Sequence, residues 1–182
     1  MILTPKILAR LVAIVVLGVL LQLSFFSQVM VFHVSPDLLP VLVISLGLLG
    51  GTMSGAVTGF SVGLLLDCLL IEPLGGASLV LLATGYLAGL FRERFEIHSR
   101  LVPPLLCMGL TIFAELGFGA VELMLGADTA ISGLVVRDVL IKGVYAFVLG
   151  WPIYLGLRRL LRPALVEEQA LRRPRRPTVL GA

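Results

Sequence analysis

The sequence predicts an all-α polytopic membrane protein with six transmembrane helices and both termini in the cytoplasm. Three observations support this fold class. Of the 182 residues 58% are hydrophobic, the mean hydropathy is +1.08, and most basic residues lie outside the apolar runs, in clusters beside them. A soluble domain cannot bury this much apolar length. We therefore expect a six-helix transmembrane domain at residues 1–162 and a disordered basic cytoplasmic tail at 163–182.

The spans are predicted at 7–28, 37–50, 52–71, 76–91, 101–125 and 138–157, guided by the roughly 20 apolar residues that one bilayer crossing needs. No charged residue separates Asp37 from Asp67. That run is too long for one upright helix, so it must turn. Gly50-Gly51-Thr52 is the predicted turn, because glycine can adopt positive φ and Thr52 or Ser54 can cap the following helix.

Three clusters of basic residues predict the orientation. They precede the first span, separate the fourth from the fifth and follow the sixth: Lys6 and Arg10; Arg92, Arg94 and Arg100; and Arg158, Arg159 and Arg162. With six spans all three clusters fall on one side, which the positive-inside rule makes cytoplasmic. The opposite side is acidic, with Asp37, Glu72 and Asp128 in or beside its connections. The basic tail is expected to rest on anionic membrane lipid.

Three glycines and a carboxylate recur every fourth residue in the third span, at Gly55, Gly59, Gly63 and Asp67. Small residues at this spacing let two membrane helices approach closely. We therefore predict that this row, with the adjacent Phe60, is a helix-packing or partner-binding face. Asp67 either caps the outer end of the span or belongs to a site, because a carboxylate in a membrane helix needs a partner or the interface.

Four ionisable residues in or beside the last two spans are candidates for pairing between helices. Glu115 and Glu122 share a face of the fifth helix, while Arg137 and Lys142 lie on the sixth. Their matching depths predict the pairs Glu122–Arg137 and Glu115–Lys142. Two alternatives remain open, namely that the basic side chains extend separately to the interface, or that the four residues form a translocation site.

The sequence contains no recognisable set of residues for catalysis or metal binding. His33 and His98 fall on opposite sides of the predicted membrane, and Cys68 and Cys107 differ in depth. No nucleophile motif, phosphate loop or spaced ligand set occurs. We therefore expect no enzymatic activity, no cofactor, no metal and no nucleic-acid partner.

The order of these features resembles the MreD family of rod shape-determining proteins. The resemblance is carried by Pro36-Asp37-Leu38-Leu39, the glycine row with Phe60 and Leu64, Asp67, Pro73-Leu74-Gly75, an Arg-rich loop and a last span with a proline before basic residues. It is sharpest over 36–91 and implies that Pro36, Asp37, Pro73 and Gly75 form the family's outer-loop motif.

The resemblance implies a non-enzymatic scaffold or regulatory subunit of the bacterial cell-elongation complex, which links cell shape to peptidoglycan synthesis at the inner (plasma) membrane. Its direct partner would be MreC, a single-span periplasmic scaffold. RodA, a class B penicillin-binding transpeptidase and MreB would associate through the complex. The alternative is a substrate-binding subunit of an energy-coupling-factor vitamin transporter, whose six-helix fold is similar. Ala9 and Ala13 have the spacing that such subunits use against their energising partner.

Overall fold

The computed structural model describes residues 5–22, 24, 37–69, 75–95, 101–124 and 133–172. Over these ranges the chain is all-helical, with six helices that follow the six predicted apolar segments. The helices are α1 (Pro5–Leu21), α2 (Leu38–Gly50), α3 (Thr52–Leu69), α4 (Gly76–Arg94), α5 (Val102–Met124) and α6 (Gly133–Arg172). Prolines lie in the first turns of α1, α2 and α5, where a missing N–H costs no helical hydrogen bond.

The sixth helix extends into the first part of the predicted tail. α6 continues to Arg172, whereas the sequence predicts disorder from residue 163. Residues 164–172 contain mainly alanine, leucine, glutamate and glutamine, which have high helix propensity. Extending an existing helix is also easier than starting a new one, so α6 continues past Pro163. The Arg-Pro run at 173–177 lies outside the described residues.

Three described segments are long and apolar enough to cross a membrane, namely Thr52–Leu69, Val102–Met124 and Val135–Leu160. Leu11–Leu21 and α2 are apolar but shorter. These helices are compatible with the predicted membrane protein.

Helix α2 lies at the centre of the bundle. It contacts each of the other five helices, and every residue from Leu38 to Leu49 is buried. Its 13 residues extend about 20 Å at about 1.5 Å per residue, which is less than a hydrocarbon core of about 30 Å. Uniform apolarity explains its position, since a helix that is hydrophobic on all sides is stable only when surrounded.

The helices alternate in direction, which gives the bundle two distinct ends. Gln22 after α1 bonds Leu38 at the start of α2, and Gly76 at the start of α4 lies against Val121 near the end of α5. In the α5–α6 pair Gly143 lies against Ile112 and Gly150 against Cys107, so these helices are also antiparallel. The starts of α1, α3 and α5 therefore lie at the end that carries Gly51, Arg92, Glu93 and Arg94, called here the arginine end. Arg158 and Arg159 of α6 are directed toward the same end. The opposite end, called the Asp67 end, contains the end of α3 and the start of α4.

The turn between α2 and α3 is stabilised from α4. Gly51 has φ +86°, which confirms the predicted glycine turn, and its N–H donates to the Gly47 carbonyl. Arg92 donates to the carbonyl of Leu49, while Glu93 accepts from both the backbone N–H and the hydroxyl of Thr52. Glu93 therefore satisfies the first N–H of α3, and the Thr52 hydroxyl is a donor to the same carboxylate.

Candidate functional site

The glycine row of α3 packs against the backbone of α4. A Cβ atom added at Gly55 would overlap the carbonyl of Gly85, and one added at Gly59 would overlap the carbonyl of Leu81. At Gly63 it would overlap the backbone of Ser78. The three residues are buried, and α3 and α4 form the most extensive helix pair. Only glycine permits this separation of the two backbones over the length of the contact.

The glycine row is therefore covered by α4, a helix of the same chain. An outside partner could reach the glycines only by displacing α4. Phe60 differs from them, because its side chain is 43% exposed on the adjacent face of α3. The structure thus assigns the row to intramolecular packing, and a role of Phe60 in partner binding stays a prediction.

Asp67, at the end of the row, caps the start of α4. Its carboxylate accepts hydrogen bonds from the backbone N–H groups of Gly75, Ala77 and Ser78 at 3.0–3.1 Å. The Ser78 hydroxyl donates a fourth at 2.5 Å. These N–H groups have no acceptor within their own helix, and a negative charge at a helix N-terminus is electrostatically favourable. Asp67 is 3% exposed, so these bonds also satisfy a carboxylate that is removed from solvent.

Two of the four residues of the implied outer-loop motif lie in the described part of the chain. Gly75 has φ +108° and donates its N–H to Asp67. Asp37 precedes α2 and takes part in the ion pairs described next. Pro36 and Pro73 lie outside the described residues.

A polar cluster joins α2, α5 and α6 inside the bundle. Lys142 Nζ lies 2.7 Å from Asp37 Oδ2 and 2.9 Å from Glu115 Oε2, so one ammonium contacts two carboxylates. Glu115 is nine residues from the end of α5, and Lys142 is nine residues from the start of α6, each about 13 Å along its helix. The cluster is therefore well inside the Asp67 end.

Gln22 extends this cluster to α1. Its amide Nε2 donates to Asp37 Oδ1 at 3.2 Å, and its Oε1 accepts from the N–H of Leu38 at 2.8 Å. Asp37 itself makes no side-chain hydrogen bond to the start of α2. Gln22 therefore caps α2, and the Asp37 carboxylate is left to face Lys142. Four helices meet at these four side chains.

The structure brings together one of the two ion pairs predicted from matching depth and leaves the other apart. Lys142 and Glu115 are in contact, and Asp37 is an unexpected third member. Glu122 and Arg137 are both exposed, and among the described residues no ion pair joins them. Being surface residues of α5 and α6, they have room to extend toward an interface, which is the alternative left open above.

Several residues of these contacts were not predicted. Gly85 and Gly89 on α4 complete the close packing, and their four-residue spacing is a signal that matches the row on α3. Gln22 is an amide in an otherwise apolar run, and its isolation is also a signal. No sequence signal marks Glu93 or Ser78, because their hydrogen-bond partners, Thr52 and Asp67, are distant in sequence.

Comparison with known proteins relates this architecture to one family. No curated protein and no solved structure matches significantly. Residues 5–161 match the family model described as rod shape-determining protein MreD, and the chain therefore belongs to the MreD family of membrane proteins, which act in determining rod shape.

Proposed function

We propose that this chain is a non-enzymatic scaffold and regulatory subunit of the bacterial cell-elongation complex, and that it binds MreC directly. Membership of the MreD family already implies a role in rod-shape determination. The proposal adds the mode of action, in which the bundle holds the transmembrane helix of MreC. RodA, the class B penicillin-binding transpeptidase and MreB then associate through the complex.

The observation that carries this proposal is the exposed face of α6. In its membrane-length segment, Val135–Leu160, few residues are buried within the chain, and the most apolar 18-residue stretch of that segment is only 17% buried. Large apolar side chains recur along its exposed face every three or four residues, at Val136, Leu140, Val144, Val148, Trp151 and Leu155. In a bilayer such a face contacts lipid or another transmembrane helix. A scaffold that binds single-span partners needs a surface of this kind.

The opposite face of α6 is anchored to the rest of the bundle. Gly143 lies against Ile112, Gly150 lies against Cys107, and Ala146 is buried between them. A partner on the exposed face would therefore meet a helix whose position is set by close packing. This pre-organisation favours binding, because little additional ordering accompanies association.

The proposed topology has six membrane helices, with both termini in the cytoplasm of a multi-pass protein of the inner (plasma) membrane. It is supported by the collection of basic residues at one end of the bundle. The starts of α1 and α5 and the residues Arg92, Arg94, Arg158 and Arg159 share the arginine end. The positive-inside rule makes that end cytoplasmic.

The test is site-specific photo-crosslinking in growing cells. A photoreactive amino acid replaces Val144, which is 53% exposed, or Ala146, which is 1% exposed on the same helix. We expect Val144 to crosslink to MreC and Ala146 to crosslink only within the chain. Absence of MreC from the products at Val144, Val148 and Leu140 would contradict docking on α6.

Affinity purification in mild detergent tests the composition of the complex. Recovery of MreC together with RodA supports the elongation complex. Recovery of paired ATPases and a retained vitamin would instead support the energy-coupling transporter subunit, for which Ala13 on the exposed side of α1 would be a contact residue.

A further inference from the structure

We propose that Asp37, Lys142 and Glu115 form a proton-binding joint, in which one proton is held between the two carboxylates beside the Lys142 ammonium. This inference does not depend on the proposed partners. It assigns to the centre of the bundle a pH-sensitive connection between α1–α2 and α5–α6.

The ionised groups of the cluster do not balance in charge. Two carboxylates contact one ammonium at 2.7 and 2.9 Å, so the three groups carry one net negative charge when each is ionised. Gln22 adds hydrogen bonds but no charge. Two carboxylates held this close resist simultaneous ionisation, since like charges repel strongly where water is scarce. One additional proton makes the cluster neutral.

The surrounding helices supply no other counter-charge in the described residues. On α6 the same face carries Asp138 one turn before Lys142 and Tyr145 one turn after it. Asp67 of α3 is engaged by Ser78, and the basic residues of α4 are at the arginine end. α1 contributes only Gln22. Asp138 adds negative charge, and in the described part of the chain Lys142 is the basic residue that contacts these carboxylates.

Burial and access are divided within the cluster. The Glu115 side chain is 11% exposed, whereas those of Lys142 and Asp37 are 25% and 28% exposed. The more buried carboxylate has the greater difficulty in carrying a charge, so Glu115 holds the proton. Through the exposed parts of Asp37 and Lys142 the proton can exchange with the surroundings of the bundle.

The consequence is a fold whose stability depends on pH. The native cluster binds one proton more than the unfolded chain at neutral pH, so stability falls as pH rises. The decline begins above about pH 4.3, where an unfolded glutamate ionises, and continues until the native cluster loses its proton. Loss of the proton leaves a net negative charge at the junction of four helices.

The test is thermal unfolding of the full chain in lipid nanodiscs between about pH 5 and pH 9. The change Glu115→Gln replaces the protonated carboxyl with a neutral group of the same shape. We expect the Tm of Glu115→Gln to equal the parental Tm at about pH 5 and to stay constant up to about pH 9, whereas the parental Tm should fall over this range. The control is Glu122→Gln, a matched exposed change on the same helix, which should retain the parental pH dependence.

Infrared spectroscopy gives a second measurement, and its deciding spectrum is that of the parent protein. A protonated carboxyl has a carbonyl stretching band separate from that of a carboxylate. We expect the band in the parent at neutral pH, its loss in Glu115→Gln and its retention in Glu122→Gln. Absence of the band in the parent at neutral pH, or a pH-independent Tm for the parent, would overturn the proposal.

Discussion

The carboxylate of Asp67 on α3 and the hydroxyl of Ser78 on α4 are joined by a hydrogen bond of 2.5 Å. One turn before Asp67, Gly63 packs against the backbone of the same serine. The two contacts depend on each other, because the missing side chain at Gly63 lets the helices approach closely enough for the carboxylate to reach the start of α4. The glycine row and the acid that ends it are thus one packing device.

Replacement of Asp67 with alanine should destabilise the protein. It removes the acceptor of four hydrogen bonds and leaves the N–H groups of Ala77 and Ser78 buried without a partner. Loss of a helix cap costs about 0.5–2 kcal/mol, and the buried donors add to this. Thermal unfolding in detergent measures the effect. Cys68→Ala, an exposed change at the next residue, should leave Tm unchanged. Equal stability of the two variants would mean that the cap is not needed.

Replacement of Gly59 with leucine should loosen the α3–α4 pair while the protein stays in the membrane. Even the first carbon of the new side chain overlaps the backbone carbonyl of Leu81, which cannot move without shifting α4. Overpacking of this kind costs about 1–3 kcal/mol. The matched control is Gly109→Leu on α5, where nothing lies within 4 Å of the added carbon. If both variants unfold at the parental temperature, the contact is not close in the native protein.

Asp37 and Lys142 should show energetic coupling. Removal of Lys142 leaves the partly buried Asp37 carboxylate without its cation, whereas removal of both residues does not, so the double change should cost less than the sum. Polar contacts between membrane helices are modest, and we expect a coupling of about 0.5–2 kcal/mol in a cycle of Asp37→Asn and Lys142→Met. The same cycle with Glu122→Gln and Arg137→Gln should be additive, because both side chains are exposed and unpaired with each other. Coupling in the second cycle alone would reverse this assignment.

Glu93 should contribute to the α2–α3 turn. Its carboxylate accepts from the Thr52 N–H at 3.0 Å and from the Thr52 hydroxyl at 2.8 Å. Since these bonds are exposed, Glu93→Ala should lower stability by only about 0.5–1 kcal/mol. Arg94→Ala removes an adjacent exposed charge and serves as the control. Hydrogen exchange at Thr52 and Met53 should increase in the first variant only, and equal exchange in both would exclude a capping role.

Cysteine labelling should distinguish the two ends of the bundle. After replacement of Cys68 and Cys107, a cysteine at Met124, which is 87% exposed, should react with an impermeant thiol reagent on intact cells. A cysteine at Phe95, which is 61% exposed beside Arg94, should react only after permeabilisation. Reaction at Phe95 from outside would contradict a cytoplasmic arginine end.

The positions of the helices were predictable because they depend on local properties of the chain. Runs of apolar residues and the prolines and glycines between them decide where helices begin and end. The turn at Gly51 was predictable because glycine can adopt positive φ. The spacing of Gly55, Gly59 and Gly63 predicted that another helix packs closely against this face. The identity of that neighbour did not follow from the spacing, since a helix of the same chain and one of a partner satisfy it equally.

Composition and periodicity are properties of each segment alone, and they predict an apolar helical chain, a glycine-lined face and basic residues clustered outside the apolar runs. The packing of the helices is what encloses α2, covers the glycine row with α4 and brings Asp37 to Lys142. These contacts join residues far apart in sequence, and several acidic residues could have supplied the partner of Lys142. The choice of Asp37 depends on where the buried α2 begins, and that is set by the packing of all six helices.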